Sequence, residues 1–422
     1  MHDKGERRQR KALTNIGGAV RLRGDAACAD ALAEALAVRS DESETRAHVH
    51  GFHSYTARMH PLTARRLVER MSDPGATVLD PFCGSGTVLV EARLSGRRAY
   101  GVDANPLAVE LARLKTRDWP VRELDDLVAT AAELSDEADA RRKAKAGATR
   151  AYGPHDRELF DAHVLLELDG IRAGLERLPR SGVRDALWLA LSSILVKVSR
   201  QPGDSAEGLA PRRLAGGFAI RMFRRRVEEL SRQLDAYAQL LPSDAPAARV
   251  ALGDARELAG VPANAVDLVV TSPPYPGVYD YFEQHAPRLR WLGFDTQSFA
   301  DTEIGSRREL TRLGSMAAAR WQEDFARVLG AVATVLAPNG AAVMLIADSA
   351  LGAEALYADD VAERIAPTVG LRLAAVASQE RPHFHGPTQA AFRRRSRCEH
   401  ALVLRKNAVR GEGSRGVTRE RS

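Results

Sequence analysis

The stretch TSPPYPGVYDY, residues 271–281, combines groups that can hold a ligand in one orientation. It follows AVDLVV (265–270), an apolar run that predicts a short buried strand. Pro273 and Pro274 cannot donate to a sheet ladder, so this strand must end just before them. The Ser272 hydroxyl and the Pro273 carbonyl then offer two hydrogen-bond acceptors on a stiffened backbone. Aromatic rings follow at Tyr275, Tyr279 and Tyr281.

A second segment, VLDPFCGSGTVLVEA (78–92), predicts a strand, a glycine turn and a helix. Gly84 and Gly86 let the backbone approach a ligand closely, because they carry no Cβ atom. Leu89 stands where the dinucleotide-binding fingerprint has its third glycine, which argues against NAD. Thr87 follows Gly86 where a phosphate-binding loop has its lysine, which argues against a ligand held by its phosphates.

Acidic residues surround the predicted turn. Asp80 precedes it, and Asp103 ends the next predicted strand, where a carboxylate can accept both hydroxyls of a ribose. Asp80 can attract a cationic group, so a ligand with a ribose, a positive centre and no phosphate fits, which is S-adenosylmethionine. Asp254 can accept a hydrogen bond from an adenine amino group, although a capping role explains it equally well. The predicted cofactor-binding residues are Asp80, Phe82, Cys83, Gly84, Gly86, Asp103, Ala104, Asp254 and Ala255.

A sheet must bring these segments together. Buried strands are predicted at 76–80, 97–103, 265–270, 341–348, 371–379 and 399–406, with a further strand and loop within 245–260. Helices lie between most of them, so the pattern predicts an α/β fold with a doubly wound, mainly parallel sheet. Ligands in such sheets bind beyond the carboxyl ends of the strands, where the acids and both loops are expected.

The pattern changes between residues 120 and 242, where only helices are predicted. We interpret this segment as a large helical insertion. The predicted organisation is an N-terminal extension that is partly disordered (1–48), a cofactor-binding half (49–119), the insertion (120–242), a catalytic half (243–406) and a disordered basic tail (407–422).

Composition narrows the class of protein. The 422 residues carry a net charge of +6, which favours a polyanionic partner. There is no apolar run of about 18 residues and no signal peptide, so we expect no membrane association and a cytoplasmic protein. Three cysteines far apart in the sequence fit neither a disulfide framework nor a zinc cluster, and no metal is expected.

DPFCGSG and TSPPY together resemble the S-adenosylmethionine-dependent amino-methyltransferases of the DNA N4-cytosine and N6-adenine family. Phe82, Gly84 and Gly86 resemble that family's F-x-G-x-G. Residues 272–275 resemble its (Asp/Asn/Ser/Thr)-Pro-Pro-(Tyr/Phe) tetrapeptide. The resemblance covers about 50–116 and 245–406, without the insertion. It implies a Rossmann-like methyltransferase sheet of the seven-stranded type, with catalytic residues Ser272, Pro273, Pro274 and Tyr275.

The resemblance implies a role for the proline loop. An exocyclic amino nitrogen is a poor nucleophile, because its lone pair is delocalised into the base. Acceptors at Ser272 and Pro273 can bind its two hydrogens and localise that lone pair. Tyr275 offers a face on which an extruded base can stack. Serine at the first position of the tetrapeptide favours N4 of cytosine over N6 of adenine as the target.

Target recognition is assigned to the insertion, because no other segment is large enough. KVSRQPGDSAEGLAPRRLAGGFAIRMFRRR (197–226) concentrates its arginines near breaks in the helical pattern. The residues expected to contact nucleic acid are Ser199, Arg200, Arg212, Arg213, Arg221, Tyr279 and Tyr281. The insertion is also compatible with packing or dimerisation, so a monomer and a homodimer both stay open.

Two other functions are compatible with the sequence. DPFCGSGTVLVEA resembles RNA methyltransferases that act on guanine N2 of tRNA as closely as it resembles the DNA enzymes, so RNA is the alternative partner. A nucleic-acid-binding protein that has lost catalysis is the second alternative. The intact loop at 272–275 and the acids Asp80 and Asp103 argue against it. A role in restriction-modification follows only from the resemblance to the DNA enzymes.

Overall fold

The computed structural model describes residues 19–38, 42–201, 203, 209–210, 213–381 and 389–407. The strands are β1 (Val20–Gly24), β2 (Thr77–Asp80), β3 (Arg98–Asp103), β4 (Arg249–Leu252), β5 (Val266–Thr271), β6 (Leu336–Ala347), β7 (Ser349–Leu351), β8 (Glu354–Leu356), β9 (Leu371–Glu380) and β10 (Cys398–Lys406).

The helices before the catalytic half are α1 (Ala26–Leu36), α2 (Glu42–Thr45), α3 (Pro61–Met71), α4 (Thr87–Leu94), α5 (Pro106–Thr116), α6 (Val121–Lys143), α7 (Pro154–Leu159), α8 (Ala162–Arg177), α9 (Gly182–Val198) and α10 (Phe218–Leu240). Those within it are α11 (Tyr281–Leu292), α12 (Thr296–Thr302), α13 (Arg307–Leu313), α14 (Ala317–Val335) and α15 (Ala358–Ile365). Short 3₁₀ turns lie at His48–Gly51, Gly314–Met316 and Ala366–Val369.

The main sheet has eight strands in the order β1-β9-β10-β6-β5-β2-β3-β4. Strands β2, β3, β4, β5 and β6 run parallel, whereas β10 runs antiparallel to both of its neighbours. This arrangement confirms the predicted doubly wound, mainly parallel sheet. The chain changes direction across the sheet between β2 and β5, so the carboxyl ends of these strands form the crevice in which such folds bind ligands.

Strand β1 is an eighth strand that the sequence analysis did not find. It pairs antiparallel with β9 from Val20↔Gln379 to Gly24↔Ala375. Helix α1 follows, begins at a cap formed by Asp25, and buries Leu32 and Leu36 against the sheet. Part of the segment interpreted as an N-terminal extension therefore belongs to the sheet, while residues 1–18 lie outside the described part of the chain.

Local chemistry explains where the elements next to the crevice begin. Helix α5 starts at Asn105, whose side chain accepts the Leu107 N–H, and Pro106 occupies its first turn. Helix α14 ends at Val335, and the tripeptide Pro338-Asn339-Gly340 lies within β6.

Residues 120–242, interpreted as an insertion, contain helices α6 to α10. Its helices bury leucines such as Leu127, Leu168 and Leu230 against one another, and Phe223 joins them. The same apolar cluster includes Leu111 of α5 and Leu289 of α11. The insertion therefore packs directly on helices of both halves that flank it in the sequence. None of the described helices is both long and apolar enough to cross a membrane.

Candidate active site

A cavity opens beyond the carboxyl ends of β2, β3 and β5. The predicted cofactor residues in its wall are Asp80, Phe82, Cys83, Gly84, Asp103, Ala104, Asp254 and Ala255. From the proline loop it receives Ser272 and Pro274, and Tyr281 joins them. Gly86, Pro273, Tyr275 and Tyr279 are not in the wall. The structure therefore brings the glycine turn and the proline loop to one site.

The glycine turn has the backbone conformation that glycine favours. Gly84 has a φ of 48° and Gly86 a φ of 86°. A Cβ atom on Gly86 would lie 3.0 Å from Ala112 Cα of α5, so this glycine lets two helices approach closely. A Cβ atom on Gly84 would lie 3.3 Å from the ring of Tyr55, which covers the turn. Both positions are therefore constrained by backbone conformation and by space.

Asp103 ties the glycine turn to the start of α5. Its Oδ2 accepts the Gly84 N–H at 2.8 Å, and its Oδ1 accepts the Asn105 N–H at 2.8 Å. Burial raises the pKa of Asp103 to about 6, although these two hydrogen bonds lower it. The carboxylate thus lies in the cavity wall in a fixed orientation, with lone pairs remaining for a ligand hydroxyl.

Asp80 lies deeper, at the end of β2, and is 4% exposed. Its Oδ1 accepts the Thr271 hydroxyl at 2.7 Å and the Phe82 N–H at 3.1 Å. Burial raises the pKa of Asp80 to about 7, and the nearby charge of Asp103 adds to the effect. A cationic ligand would relieve this repulsion between two carboxylates. The two carboxylates offer negative charge and hydrogen-bond acceptors, which fit S-adenosylmethionine because it carries a sulfonium and a ribose.

Asp254 has a partner that the sequence analysis did not foresee. Arg256 donates to both of its carboxylate oxygens, through Nε at 2.9 Å and Nη2 at 2.7 Å to Oδ2 and through Nε at 3.0 Å to Oδ1. Arg256 also donates to Asp324 of α14 at 2.9 Å. Asp254 is thus an anchored carboxylate in the cavity wall, and its contact with an adenine amino group stays a prediction.

The sequence analysis missed one whole face of the cavity, formed by residues 55–59 before α3. Tyr55 stacks on His285 with ring centroids 4.8 Å apart and on Tyr281 at 6.4 Å. Ala57 has a φ of 56°, an unusual conformation for a residue with a side chain. The available signal was the run SYTARMHP, in which a tyrosine and an arginine precede the proline that starts α3.

The proline loop divides between the cavity and the core. Ser272 is partly exposed, whereas Pro273 is buried. Tyr275 is only 9% exposed, and its hydroxyl donates to Glu399 Oε1 of β10 at 2.8 Å. Burial and the charge of Glu399 raise the pKa of Tyr275, while a hydrogen bond from the Ser272 side chain lowers it. The predicted stacking of a base on Tyr275 stays a prediction, and the ring is largely covered here.

The predicted nucleic-acid contacts lie in different settings. Tyr281 lines the cavity, and Tyr279 packs beside it at 5.5 Å between ring centroids. Arg200 pairs with Asp161 at 2.5 Å, and Ser199 is buried. Arg213 and Arg221 are exposed. Arg212 lies outside the described residues.

Two groups of metal-type donors lie outside this cavity: His48, His50 and Glu91, and Asp348, Asp359 and His400. The Glu91 carboxylate contacts His50 Nε2 at 2.7 Å and Arg65 Nε at 2.8 Å. Asp348 accepts backbone N–H groups of Ala358 and Cys398 at 2.9 Å each. Asp359 forms an ion pair with Arg395. These protein contacts account for all three carboxylates, so we interpret the groups as structural. The three cysteines are buried and unpaired.

Comparison with known proteins finds that part of the chain is similar to one family. Residues 32–114 match the model of the N6/N4 DNA methylases, described as DNA methylase. The matched residues include the glycine turn but not residues 272–275, and the match supports the family that the two motifs predicted, with S-adenosylmethionine as the cofactor.

Three relatives are similar to short stretches of the chain. Type II methyltransferase M.MjaII of Methanocaldococcus jannaschii is 31% identical over 87 residues, which is 21% of this chain and 16% of the relative. Type II methyltransferase M.MvaI of Kocuria varians is 36% identical over 77 residues, 18% of this chain and 17% of the relative. The tRNA (guanine(10)-N2)-dimethyltransferase of Methanothermobacter thermautotrophicus is 34% identical over 106 residues, 24% of this chain and 31% of the relative. The chain thus spans less than a third of each relative's length.

Proposed function

We propose that this chain, whose residues 32–114 match the model of the N6/N4 DNA methylases, methylates an exocyclic amino group of a DNA base. One observation carries the proposal: Ser272 and Pro274 of the proline loop share a cavity wall with Asp80, Asp103 and the glycine turn. A methyl-donor site and an amino-group site are thus adjacent. Positioning two reactants in this way can contribute roughly 7–11 kcal/mol to lowering a barrier.

Each wall residue has a role in the proposal. Asp103 accepts the ribose hydroxyls of the cofactor, and Asp80 lies on the side of its positive centre. When bound, S-adenosylmethionine supplies a methyl group attached to a sulfonium. Ser272 and the Pro273 carbonyl accept the two hydrogens of the amino group and hold its nitrogen in line with that methyl group.

The assignment of N4 of cytosine over N6 of adenine rests on Ser272 at the first position of the tetrapeptide. A serine hydroxyl is a neutral acceptor, whereas the aspartate found in other members is an anion. In the family that the loop resembles, serine at this position goes with methylation of the cytosine amino group. Adenine remains the second target to be tested.

Nucleoside analysis of methylated substrates tests the proposed function. The purified chain is incubated with S-adenosylmethionine and either mixed-sequence double-stranded DNA or a tRNA pool, and the products are digested and identified by mass spectrometry. We expect N4-methylcytosine from DNA. N6-methyladenine would overturn the choice of base but keep the enzyme class. Absence of any methylated nucleoside from both pools would overturn the function.

RNA is the second candidate substrate, because one relative acts on tRNA guanine N2 by its name and matches more residues of this chain than the other two do. N2-methylguanine in the tRNA arm, with no product from DNA, would favour it. The same cavity residues serve either substrate, since each carries an exocyclic amino group on a base.

The proposed cofactor contact of Asp103 predicts a loss of affinity. Asp103→Ala removes a charged acceptor and also frees the Gly84 and Asn105 N–H groups. We expect binding of S-adenosylmethionine to weaken by about 1.5–3 kcal/mol. Isothermal titration calorimetry measures this change, with Asp126→Ala on the exposed face of α6 as the control. Equal affinities for both variants and the wild type would remove Asp103 from the cofactor site.

The insertion is proposed to contact the nucleic-acid backbone. Arg213 and Arg221 are exposed near Gly217, at the start of α10, whereas Arg200 is held by Asp161. Replacing Arg213 and Arg221 by alanine should weaken DNA binding and flatten the dependence of log K on log salt by about 0.9 per lost phosphate contact. A salt series of DNA affinities measures both. Arg249→Ala is the control, because Arg249 is an exposed arginine on the edge strand β4, outside the insertion. An unchanged slope would assign the insertion to packing.

A further inference from the structure

Glu303 is a buried acid in the cavity wall that neither motif contains. It follows α12 directly and is 8% exposed. Its Oε1 accepts the N–H groups of Tyr281 at 2.6 Å and Phe282 at 3.4 Å. Its Oε2 is buried and has no hydrogen-bond partner within the described part of the chain. An unpaired buried carboxylate oxygen is costly, so its position beside a ligand cavity calls for an explanation.

The main chain around Glu303 is attached to the proline loop. The Gly277 N–H donates to the Gly305 carbonyl at 2.9 Å, and the Arg307 N–H donates to the Tyr279 carbonyl at 3.1 Å. Together with the contacts of Oε1 to the start of α11, these bonds hold the two segments side by side. The position of Glu303 is therefore coupled to the loop that begins at Ser272, although 31 residues separate them.

The surroundings of Glu303 hold its carboxyl near the point of ionisation at neutral pH. Burial raises the pKa of Glu303 to about 7, the N–H groups of Tyr281 and Phe282 lower it, Asp280 raises it and Arg308 lowers it. Arg256 lies close to this segment, because it donates to the Thr302 carbonyl at 3.4 Å, and its charge is paired with Asp254 and Asp324. A pKa near the working pH is the value that suits proton transfer.

We propose that Glu303 is a catalytic residue that contacts the target base and receives the proton that its amino group loses. The proposal rests on the proposed function. In the balanced step, the nitrogen–carbon bond forms as the sulfur–carbon bond of the donor breaks, and the sulfur keeps the bonding electron pair. One hydrogen of the nitrogen stays on the Pro273 carbonyl, and the other leaves its contact with Ser272 and passes as a proton to Glu303 Oε2. The nitrogen becomes acidic as it gains the methyl group, so a carboxylate is a strong enough base.

Glu303→Gln tests the role without changing the shape of the wall. The N–H groups of Tyr281 and Phe282 require an acceptor at the Oε1 position, so the glutamine oxygen takes that place. Its amide NH₂ then replaces Oε2, and an acceptor becomes a donor that cannot receive a proton. We expect turnover to fall about 100-fold. Affinity for S-adenosylmethionine by calorimetry and the thermal midpoint should stay near the wild-type values.

The pH profile separates proton transfer from a structural role. Turnover at saturating cofactor should fall in the wild type as the pH drops through about 7, because protonated Glu303 cannot accept a proton. Asp80 and Asp103 also titrate at about 7 and about 6 without ligand, and a cationic cofactor at saturation keeps both ionised. The fall should disappear in Glu303→Gln, whose low rate should be flat across this range.

Glu363→Gln is the matched control, because Glu363 lies on α15 with an exposed side chain paired to Arg23. It should keep wild-type turnover and pH profile. If the wild type is active and Glu303→Gln keeps its rate and pH profile, the proposed role of Glu303 is overturned and the proposed function stands. Turnover that rises as the pH falls would also overturn it, since Glu303 would then act as a donor. A wild type inactive on every nucleic acid would overturn the proposed function, and this role with it.

Discussion

Arg381→Met is expected to lower the free energy of unfolding by about 3–5 kcal/mol, the range for breaking a buried ion pair. Arg381 Nε and Nη2 donate to Glu399 Oε2 at 2.9 and 2.6 Å, and the two side chains are 0% and 1% exposed. Removing the arginine leaves Glu399 buried with only the Tyr275 hydroxyl as a side-chain partner in the described structure. Urea denaturation with linear extrapolation measures the loss.

Two further variants test this explanation. Arg381→Met combined with Glu399→Leu removes both charges, so we expect it to recover much of the lost stability. Arg70→Met breaks the exposed ion pair with Glu34, whose side chains are 58% and 44% exposed, and should cost about 1 kcal/mol or less. A similar small cost for Arg381→Met would contradict the buried-pair interpretation.

The ion pair matters for the site because it lies behind the proline loop. Glu399 accepts the Tyr275 hydroxyl with its other oxygen, Oε1, at 2.8 Å. The Ser272 side chain in turn forms a hydrogen bond with Tyr275. Arg381, Glu399, Tyr275 and Ser272 thus form one connected network. Its end at the cavity is Ser272, the residue proposed to hold the target amino group.

The sequence predicted the parts of this fold that depend on neighbouring residues. Buried parallel strands are continuous apolar runs, so β2, β3 and β5 were found within one or two residues. Strand β1 reads VRLRG, in which charges alternate with apolar residues over only five positions, and its pairing with β9 joins residues about 350 apart. No local pattern carries that information.

The residues of the candidate site also differ in whether a local sequence pattern predicts them. The glycine turn and the proline loop were found because each concentrates unusual residues in a few positions. Tyr55 and Glu303 are single residues of common types that enter the cavity only through tertiary packing. The anchoring of Asp254 by Arg256, two residues later, was visible in GDAREL but depends on side-chain conformations that a sequence does not specify.

Ser272→Ala is expected to lower the rate of methyl transfer about 10²- to 10³-fold, comparable to removing one preorganised hydrogen-bonding group from an active site. The reason lies in the network behind the loop. The Tyr275 hydroxyl donates its hydrogen bond to Glu399. The Tyr275 oxygen is therefore free to accept a hydrogen bond from the Ser272 hydroxyl. The lone pairs of Ser272 then remain for the hydrogens of the target amino group.

Single-turnover transfer from labelled S-adenosylmethionine measures this effect separately from product release. Cofactor affinity should stay within about twofold, because Ser272 carries no charge and Asp80 and Asp103 are unchanged. Ser298→Ala, on the exposed face of α12, is the control, and Ser272→Thr should keep more activity because it retains the hydroxyl. Full activity in Ser272→Ala would show that the amino group is held by backbone carbonyls alone. The hydroxyl would then have no part in the selection of the base, and the preference for cytosine would need another source in the cavity wall.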